Sequence, residues 1–173
     1  MSVPLAIRPL CPGDLSAYKQ LRDAMLSAHP SAFSSDAAEG RARSPESYRS
    51  RLGLNRPEGG HFTLGAWSGD DLVGAIGCER DARIKVRHIG HVIGMMVRDE
   101  SQRRGIGRAL LAECIALARR AEGLEMLTLT VTAGNVSAIR LYEHFGFERY
   151  GSLPRAIGVA GRYHAKDQML LVL

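Results

Sequence analysis

Between an apolar run (residues 89–97) and a helical pattern (residues 107–121) the chain reads Gln102-Arg103-Arg104-Gly105-Ile106-Gly107-Arg108-Ala109-Leu110. Two glycines separated by one residue allow a tight turn and leave backbone N–H groups uncovered. At a helix N-terminus, those N–H groups and the helix dipole favour a bound anion. Three arginines add positive charge around the turn. This order of strand, turn and helix predicts a cradle for a phosphorylated cofactor.

Two other phosphate-binding motifs fit this stretch less well. A P-loop requires the lysine and Ser/Thr of G-x-x-x-x-G-K-[ST], a string that the chain lacks. A dinucleotide-binding turn requires G-x-G-x-x-G, and here the sixth position is Leu110. Glu125 has about the right separation for the acidic partner, but it precedes the next predicted strand instead of ending it. The dinucleotide alternative is therefore the weaker one.

A second motif lies on the next strand–helix unit: Asn135-Val-Ser-Ala138-Ile-Arg-Leu141-Tyr142-Glu-His-Phe145-Gly146-Phe147. The first stretch also matches [Gln/Arg]-x-x-Gly-x-[Gly/Ala] at every fixed position. In this order the two motifs resemble those of the GNAT superfamily of acetyl-CoA-dependent N-acetyltransferases, over about residues 88–151. The resemblance implies that acetyl-CoA is the co-substrate. It also implies direct transfer of the acetyl group, through a tetrahedral intermediate, to a primary amine of a small molecule, peptide or protein.

The resemblance further implies where the cofactor binds. The strand that ends at residues 95–97 would carry a bulge and separate from the strand over residues 126–132, leaving a gap for the pantetheine arm. The backbone of Met96, Val97 and Arg98 would bind that arm, and Asn135 beside Ala138 would contact it. Asn135 is also a favoured helix N-cap, and both roles can hold in part. The pyrophosphate would bind the turn at Gln102, Arg103, Arg104, Gly105, Ile106, Gly107, Arg108 and Ala109.

Two residues are candidates for proton transfer. Tyr142 lies on the inward stripe of its predicted helix, and a phenol titrates about 1.5 pH units above a typical thiol. It could therefore protonate the departing thiolate, although a core aromatic residue is the plain alternative. His91 occupies the position, fourteen residues before Gly105, where several family members carry a glutamate base, and histidine accepts protons near neutral pH. Glu79 and a chain of waters are its rivals, and a histidine that merely lines the cleft is the plain alternative.

Composition limits the other classes of function. The chain has 173 residues, 45% of them hydrophobic and 24% charged, which fits one globular domain over residues 1–173. Three cysteines without a C-x-x-C predict no disulfide framework and a reducing, cytoplasmic setting. No apolar stretch is long enough to span a membrane. The net charge of +5 is scattered and almost without interleaved aromatics, so we expect no nucleic acid. His88 and His91 lie three apart on a predicted strand, which argues against a metal pair.

Hydrophobic periodicity predicts an α/β fold, with a mixed twisted central sheet flanked by helices on both faces. The predicted strands cover residues 6–10, 62–67, 72–78, 86–97, 126–132, 147–150 and 163–173. The predicted helices cover residues 14–27, 46–54, 107–121 and 135–145. By the same resemblance, the loops at residues 29–44 and 152–162 would form the pocket for an amine acceptor that the sequence does not identify.

Two other classes and the oligomeric state stay open at this point. Binding motifs do not prove turnover, so the chain could be a non-catalytic module that senses acyl-CoA. A nucleic-acid-binding domain is suggested only by the sequence pI of about 9.4. A homodimer is compatible with the sequence.

Overall fold

The computed structural model describes residues 4–56 and 58–173, so the first three residues of the predicted domain lie outside the described part. Within these two described ranges, seven strands form one sheet in the order β1-β2-β3-β4-β5-β7-β6. The β4–β5 pair is parallel and all other neighbours are antiparallel, which confirms the mixed sheet. The strands are β1 (Leu5–Pro9), β2 (Phe62–Ser68), β3 (Asp71–Arg80), β4 (Ile89–Val97), β5 (Met126–Thr132), β6 (Glu148–Val159) and β7 (Arg162–Val172).

The described part of the chain also forms four α-helices: α1 (Leu15–Ala28), α2 (Ala37–Ala42), α3 (Ile106–Arg120) and α4 (Val136–His144). Helix α2 lies inside the segment predicted as a loop. Asp36 is its N-cap and accepts from the N–H groups of Ala38 and Glu39, which stabilises the first turn of this short helix. The helix predicted over residues 46–54 is a 3-10 helix, Pro45–Leu52, which ends at Gly53 with φ of 67°. Within the described residues, no helix has the length and apolar character needed to cross a membrane.

Helices cover both faces of the sheet, as predicted. Helices α3 and α4 lie on one face, where Leu110, Cys114 and Tyr142 join a core with Ile76 and Cys78 of β3. On the other face, α1 packs Leu15, Tyr18, Leu21 and Met25 against Ala75 of β3 and Met96 of β4. Alternate residues of β3 therefore serve two cores, one on each side of the sheet.

The sheet opens between β4 and β5. These strands pair only from Ile89 to His91, against residues 126–128. On its other edge, β4 shifts register between Ala75 and Gly77, and Gly94 takes a φ of +56°. A bulge of this kind bends the strand and ends pairing locally. The result is the expected bulge and a gap that widens toward the carboxyl ends of β4 and β5.

The region predicted as a short strand and a loop (residues 147–162) is mostly one long strand. Strand β6 runs to Val159 and joins β7 through a two-residue turn, Ala160-Gly161, with φ of 48° and 77°. Positive φ at both positions is what a tight hairpin of this twist requires. Register shifts at residues 149–151 and 153–157 accommodate Gly151 and Pro154 within the paired strand. This side of the molecule is therefore a hairpin.

Candidate active site

The turn before α3 is a row of free backbone donors. Gly105 is the N-cap of α3 with φ of 79°, and Arg103 also has a positive φ, 59°. In the described part of the chain, no backbone carbonyl accepts from the N–H groups of residues 103–108. Successive N–H groups in such a conformation form a concave site for an anion, which the helix dipole reinforces. The N–H groups at the ends of the predicted stretch are engaged: Gln102 donates to Asp99 and Ala109 to Gly105.

A groove of about 440 Å³ runs along this turn. Of the predicted pyrophosphate residues, it is lined by Gln102, Arg103, Gly105, Ile106, Gly107 and Arg108. Arg104 is exposed and does not line the groove, because the turn directs it to solvent, and Ala109 does not line it either. A Cβ on Gly105 would meet open space, whereas a Cβ on Gly107 would lie 3.1 Å from Cε of Met95. The two glycines thus serve different needs, access at Gly105 and helix–strand packing at Gly107.

The predicted pantetheine residues divide between the two edges of β4. The Arg98 N–H donates to the Val73 carbonyl at 2.9 Å, and its Nε donates to the Leu72 carbonyl at 3.0 Å. Arg98 is thus committed to β3, and it does not line the groove. Because N–H directions alternate along a strand, the Val97 N–H faces the gap. Met96 and Val97 both line the groove.

Asn135 joins the groove to a second, deeper cavity. Its Oδ1 accepts from the Ala138 N–H at 3.2 Å, so the N-cap interpretation is observed. The amide NH2 remains as a donor beside the groove. Asn135 and Ala138 line both spaces, together with Ala32, Phe33 and Met95. The groove and the cavity are therefore continuous.

The deeper cavity, of about 320 Å³, passes through the gap between β4 and β5. Tyr142 lines it from the side of α4, with only 7% of the residue exposed. Burial, with a smaller contribution from the Cys114 thiol, raises the pKa of Tyr142 to about 12. The phenol is therefore protonated at neutral pH. Its ring packs edge-on against Phe147, with centroids 5.8 Å apart.

Glu79 enters the same cavity, and His91 does not. The two residues are directly paired across β3 and β4, but only Glu79 is among the residues that line the cavity. At His91 the β4–β5 ladder is still closed, since this residue pairs with Thr128. Its Nδ1 lies 2.6 Å from Thr128 Oγ1, and the residue is exposed. His91, the position reached by counting back from Gly105, is thus directly paired with Glu79 but lies outside the cavity that Glu79 lines.

Sequence reasoning did not identify the cationic wall of this cavity. Arg22, Arg51 and Lys166 all line it, and Arg22 is only 5% exposed. A signal was available for Arg22, because it lies between Tyr18 and Met25 on the buried stripe of α1, where an arginine is unusual. The other two come from distant parts of the chain and have no such local signal.

Residues 31–35, which we call the roof segment, close the cavity on the side of α1. Three hydrogen bonds hold this segment: Thr132 Oγ1 to the Ser31 carbonyl at 2.7 Å, Lys166 Nζ to Ser34 Oγ at 2.9 Å, and Arg22 Nη2 to Ser35 Oγ at 2.9 Å. Phe33 faces the cavity between them. The segment predicted at residues 29–44 therefore contributes to the pocket. No residue of the segment predicted at 152–162 lines the cavity.

In the described part of the chain, neither metal ligands nor reactive thiols form a second site. Within residues 4–56 and 58–173, no group of three or more His, Cys, Asp or Glu side chains is arranged to hold a metal ion. The three cysteines are free, and Cys78 and Cys114 are buried. A hydrogen bond with Cys78, together with burial, raises the pKa of Cys114 well above its usual value. We therefore assign no role in catalysis to the thiols.

Comparison with known proteins supports one family. The sequence profile of the Acetyltransferase (GNAT) family matches residues 19–147. The L-methionine sulfoximine/L-methionine sulfone acetyltransferase of Pseudomonas paraeruginosa is 36% identical over 67 residues, which cover 39% of this chain and 38% of the relative. The N-alpha-acetyltransferase RimI of Mycobacterium tuberculosis is 38% identical over 99 residues, covering 57% of this chain and 59% of the relative. The chain thus aligns with less than two thirds of either curated relative.

The similarity in structure extends over almost the whole chain. The crystal structure of an acetyltransferase of the GNAT family from Streptococcus pneumoniae superimposes with a TM-score of 0.87 at 26% sequence identity. The superposition covers 98% of this chain and 100% of the other. The arrangement of sheet, gap and helices described above is therefore shared well beyond the matched sequence motifs.

Proposed function

The chain belongs to the GNAT acetyltransferase family, and from this membership we infer that it is an N-acetyltransferase that uses acetyl-CoA. One observation of the structure supports this most directly. The anion cradle, the gap between β4 and β5, Tyr142 and Glu79 all open into one continuous cleft. A cofactor that lies along the cradle and the gap would bring its reactive end to the two proton-transfer residues.

The residues present fit the cofactor. The free N–H groups of residues 103–108, with Arg103 and Arg108 beside them, suit a pyrophosphate. The Val97 N–H and the Asn135 amide NH2 suit the carbonyl groups of a pantetheine arm. Bound acetyl-CoA supplies the acetyl group as a thioester. The acceptor side of the cleft then lies on the α1 face, under the roof segment.

We assign the base to Glu79 and the acid to Tyr142. Among the described residues that line the cavity, Glu79 is the only carboxylate, so it is placed to take a proton from the acceptor ammonium, directly or through water. The Val97 N–H is available to the oxygen on which negative charge develops. Tyr142 donates its proton to the leaving sulfur as the carbon–sulfur bond breaks. The attacking nitrogen loses its second proton to solvent, and Tyr142 regains a proton from solvent. His91 is not needed in this scheme.

We propose a single catalytic domain in the cytosol, where the three free cysteines would stay reduced. The two curated relatives are named for different acceptors, one an amino-acid derivative and the other an α-amino group. A non-catalytic acyl-CoA sensor is the second candidate. An acid and a base in one cavity favour catalysis over sensing.

Substitution of Gly105 by alanine tests the cofactor site. The new Cβ enters open space in the groove, where a pyrophosphate would approach the backbone. Gly161→Ala is a matched control, because Gly161 has φ of 77° and open space at its Cβ but lies in the β6–β7 turn, outside the groove. Each change costs about 1 kcal/mol of stability through its positive φ. We expect only Gly105→Ala to weaken acetyl-CoA binding, by tenfold or more, in titration calorimetry.

Equal acetyl-CoA affinity in the two variants would remove the cradle from the proposal. Acetyl-CoA binding without acetyl transfer to any amine would instead support the sensor.

A further inference from the structure

Arg22 is a buried cation for which the described residues supply no anionic partner. It is 5% exposed and lines the cavity, and its Nη2 donates to Ser35 Oγ at 2.9 Å. Its guanidinium carbon lies 5.7 Å from the centre of the Tyr48 ring. Its Nε is buried and has no hydrogen-bond partner within the described residues. A buried guanidinium with an unused donor is costly unless a ligand supplies the missing charge and acceptor.

Arg51 converges on the same point. It donates to the Tyr18 hydroxyl at 3.1 Å, and its guanidinium carbon lies 5.6 Å from the centre of the same Tyr48 ring. A carbon placed at the Cβ position of Gly94 would lie 3.5 Å from Nη1 of Arg51 and 3.8 Å from Nη1 of Arg22. The two guanidinium groups therefore approach each other at the bulge of β4, where Gly94 leaves room.

No acidic side chain of the described residues forms an ion pair with either arginine. Lys166 adds a third positive charge to the wall, and burial lowers its pKa. The single carboxylate in the cavity, Glu79, is assigned to the acceptor amine. The cavity thus carries an excess of positive charge that Glu79 does not neutralise.

The distance between Glu79 and the two arginines suits a small zwitterion. Gly77 pairs with Ile93, so Glu79 lies two residues along β3 from the level of the bulge. At a rise of about 3.3 Å per residue, this separation is about 7 Å. A cavity of about 320 Å³ under the closed roof segment suits a small molecule better than a folded chain.

We propose that the acceptor is a free amino acid, and that Arg22 and Arg51 bind its carboxylate while its amine faces Glu79. Guanidinium groups match a carboxylate because their paired N–H donors can bond both of its oxygens. The proposal rests on the acetyl transfer proposed above, and it names the class of acceptor. Lys166 tightens the same site by holding the roof segment over the bound molecule.

Paired acceptors test the proposal. Initial rates are measured with acetyl-CoA and the twenty common L-amino acids, each compared with its C-terminal amide, which keeps the amine and removes the negative charge. We expect the best amino acid to exceed its amide in kcat/KM by about a hundredfold, in the range of a lost charge-assisted bond in a buried site. Short peptides with a free N-terminus and O-phosphoethanolamine are assayed as well, because the acceptor could instead be a peptide or a phosphate-bearing amine.

Variants assign the effect to the two arginines. Arg51→Gln and Arg22→Gln should raise KM for the amino acid and reduce the preference over the amide to a few-fold, without changing acetyl-CoA affinity. Arg119→Gln, an exposed residue of α3, is the control. Circular dichroism checks the folding of each variant, and Arg51→Gln carries the test if the more buried Arg22→Gln does not fold.

Where amino acids are acetylated, three results would still overturn the proposal. These are amides or peptides acetylated as fast as the amino acids, a phosphate-bearing amine that is the better acceptor, or a preference that persists in Arg51→Gln. If acetyl-CoA binds and no amino acid is acetylated, the acceptor class is wrong and the cofactor site stands. If acetyl-CoA does not bind, the proposed function itself fails.

Discussion

A single hydroxyl group at Tyr142 can be removed without disturbing the packing around it. Tyr142→Phe keeps the contact with Phe147 and deletes only the proton donor. We expect acetyl-CoA affinity to stay within a few-fold while kcat falls by about two to four orders of magnitude, the usual contribution of a positioned acid. Calorimetry and a thiol-release assay measure the two quantities. Tyr150→Phe, which alters an exposed tyrosine of β6, is the matched control. Wild-type turnover in Tyr142→Phe would show that water protonates the thiolate.

At the scale of residues, a sequence pattern predicts a site residue only where a turn or a helix of the same short segment positions that residue. Gly105 and Tyr142 could be proposed as site residues because a turn positions one and a helix stripe the other, each within its own short motif. Arg51 and Lys166 enter the same cavity from a 3-10 segment and from strand β7, both outside the two motifs. Such contacts have no period in the sequence, and for this reason the cationic wall was not predicted.

At the scale of elements, the entry into α1 depends on one ion pair. Arg8 binds both oxygens of Asp14, at 2.7 and 3.0 Å, and the Cys11 N–H donates to Asp14 Oδ2 at 2.8 Å. The hydrogen bond from Arg8 is the largest cause that lowers the pKa of Asp14, to about 2, against the opposing effect of burial. This pair joins β1 to the start of the helix that carries Arg22.

A pH series tests that pair. Because the folded-state pKa of Asp14 is lowered, its stabilisation is present above the unfolded-state value of about 3.9 and is lost as the pH falls toward 2. We expect Asp14→Asn to lower the free energy of unfolding at pH 7 and to approach wild type near pH 2, in urea denaturation. Asp70→Asn, in the exposed β2–β3 turn, should show no such difference. A constant difference across the series would assign the effect to packing.

Elements with unbroken periodicity were predictable, and those with turn residues inside them were not. Strand β5 alternates strictly and helix α3 has a continuous apolar stripe, and both were predicted within one or two residues. Strand β6 holds Gly151 and Pro154 but continues past both, because its pairing with β7 tolerates two shifts of register. The long-range partner decides the structure there, and it cannot be read from the segment itself.

At the scale of the whole molecule, the sheet consists of two parts joined by three residue pairs between β4 and β5. A cofactor in the gap would contact both parts and bind only the folded chain. Saturation at about a hundred times Kd should therefore add about 2.7 kcal/mol to the stability. We expect acetyl-CoA to raise the Tm of wild type in calorimetry, and to raise that of Gly105→Ala much less at the same concentration. An equal rise in both would place the ligand elsewhere.

The gap between β4 and β5 also bears on how the protein avoids aggregation. Unpaired strand edges normally invite a strand from another chain. Here the facing edges of β4 and β5 lie inside the sheet, with α4 on one side and the roof segment on the other. The protein thus keeps backbone donors available for a ligand without exposing them to its neighbours in a crowded solution.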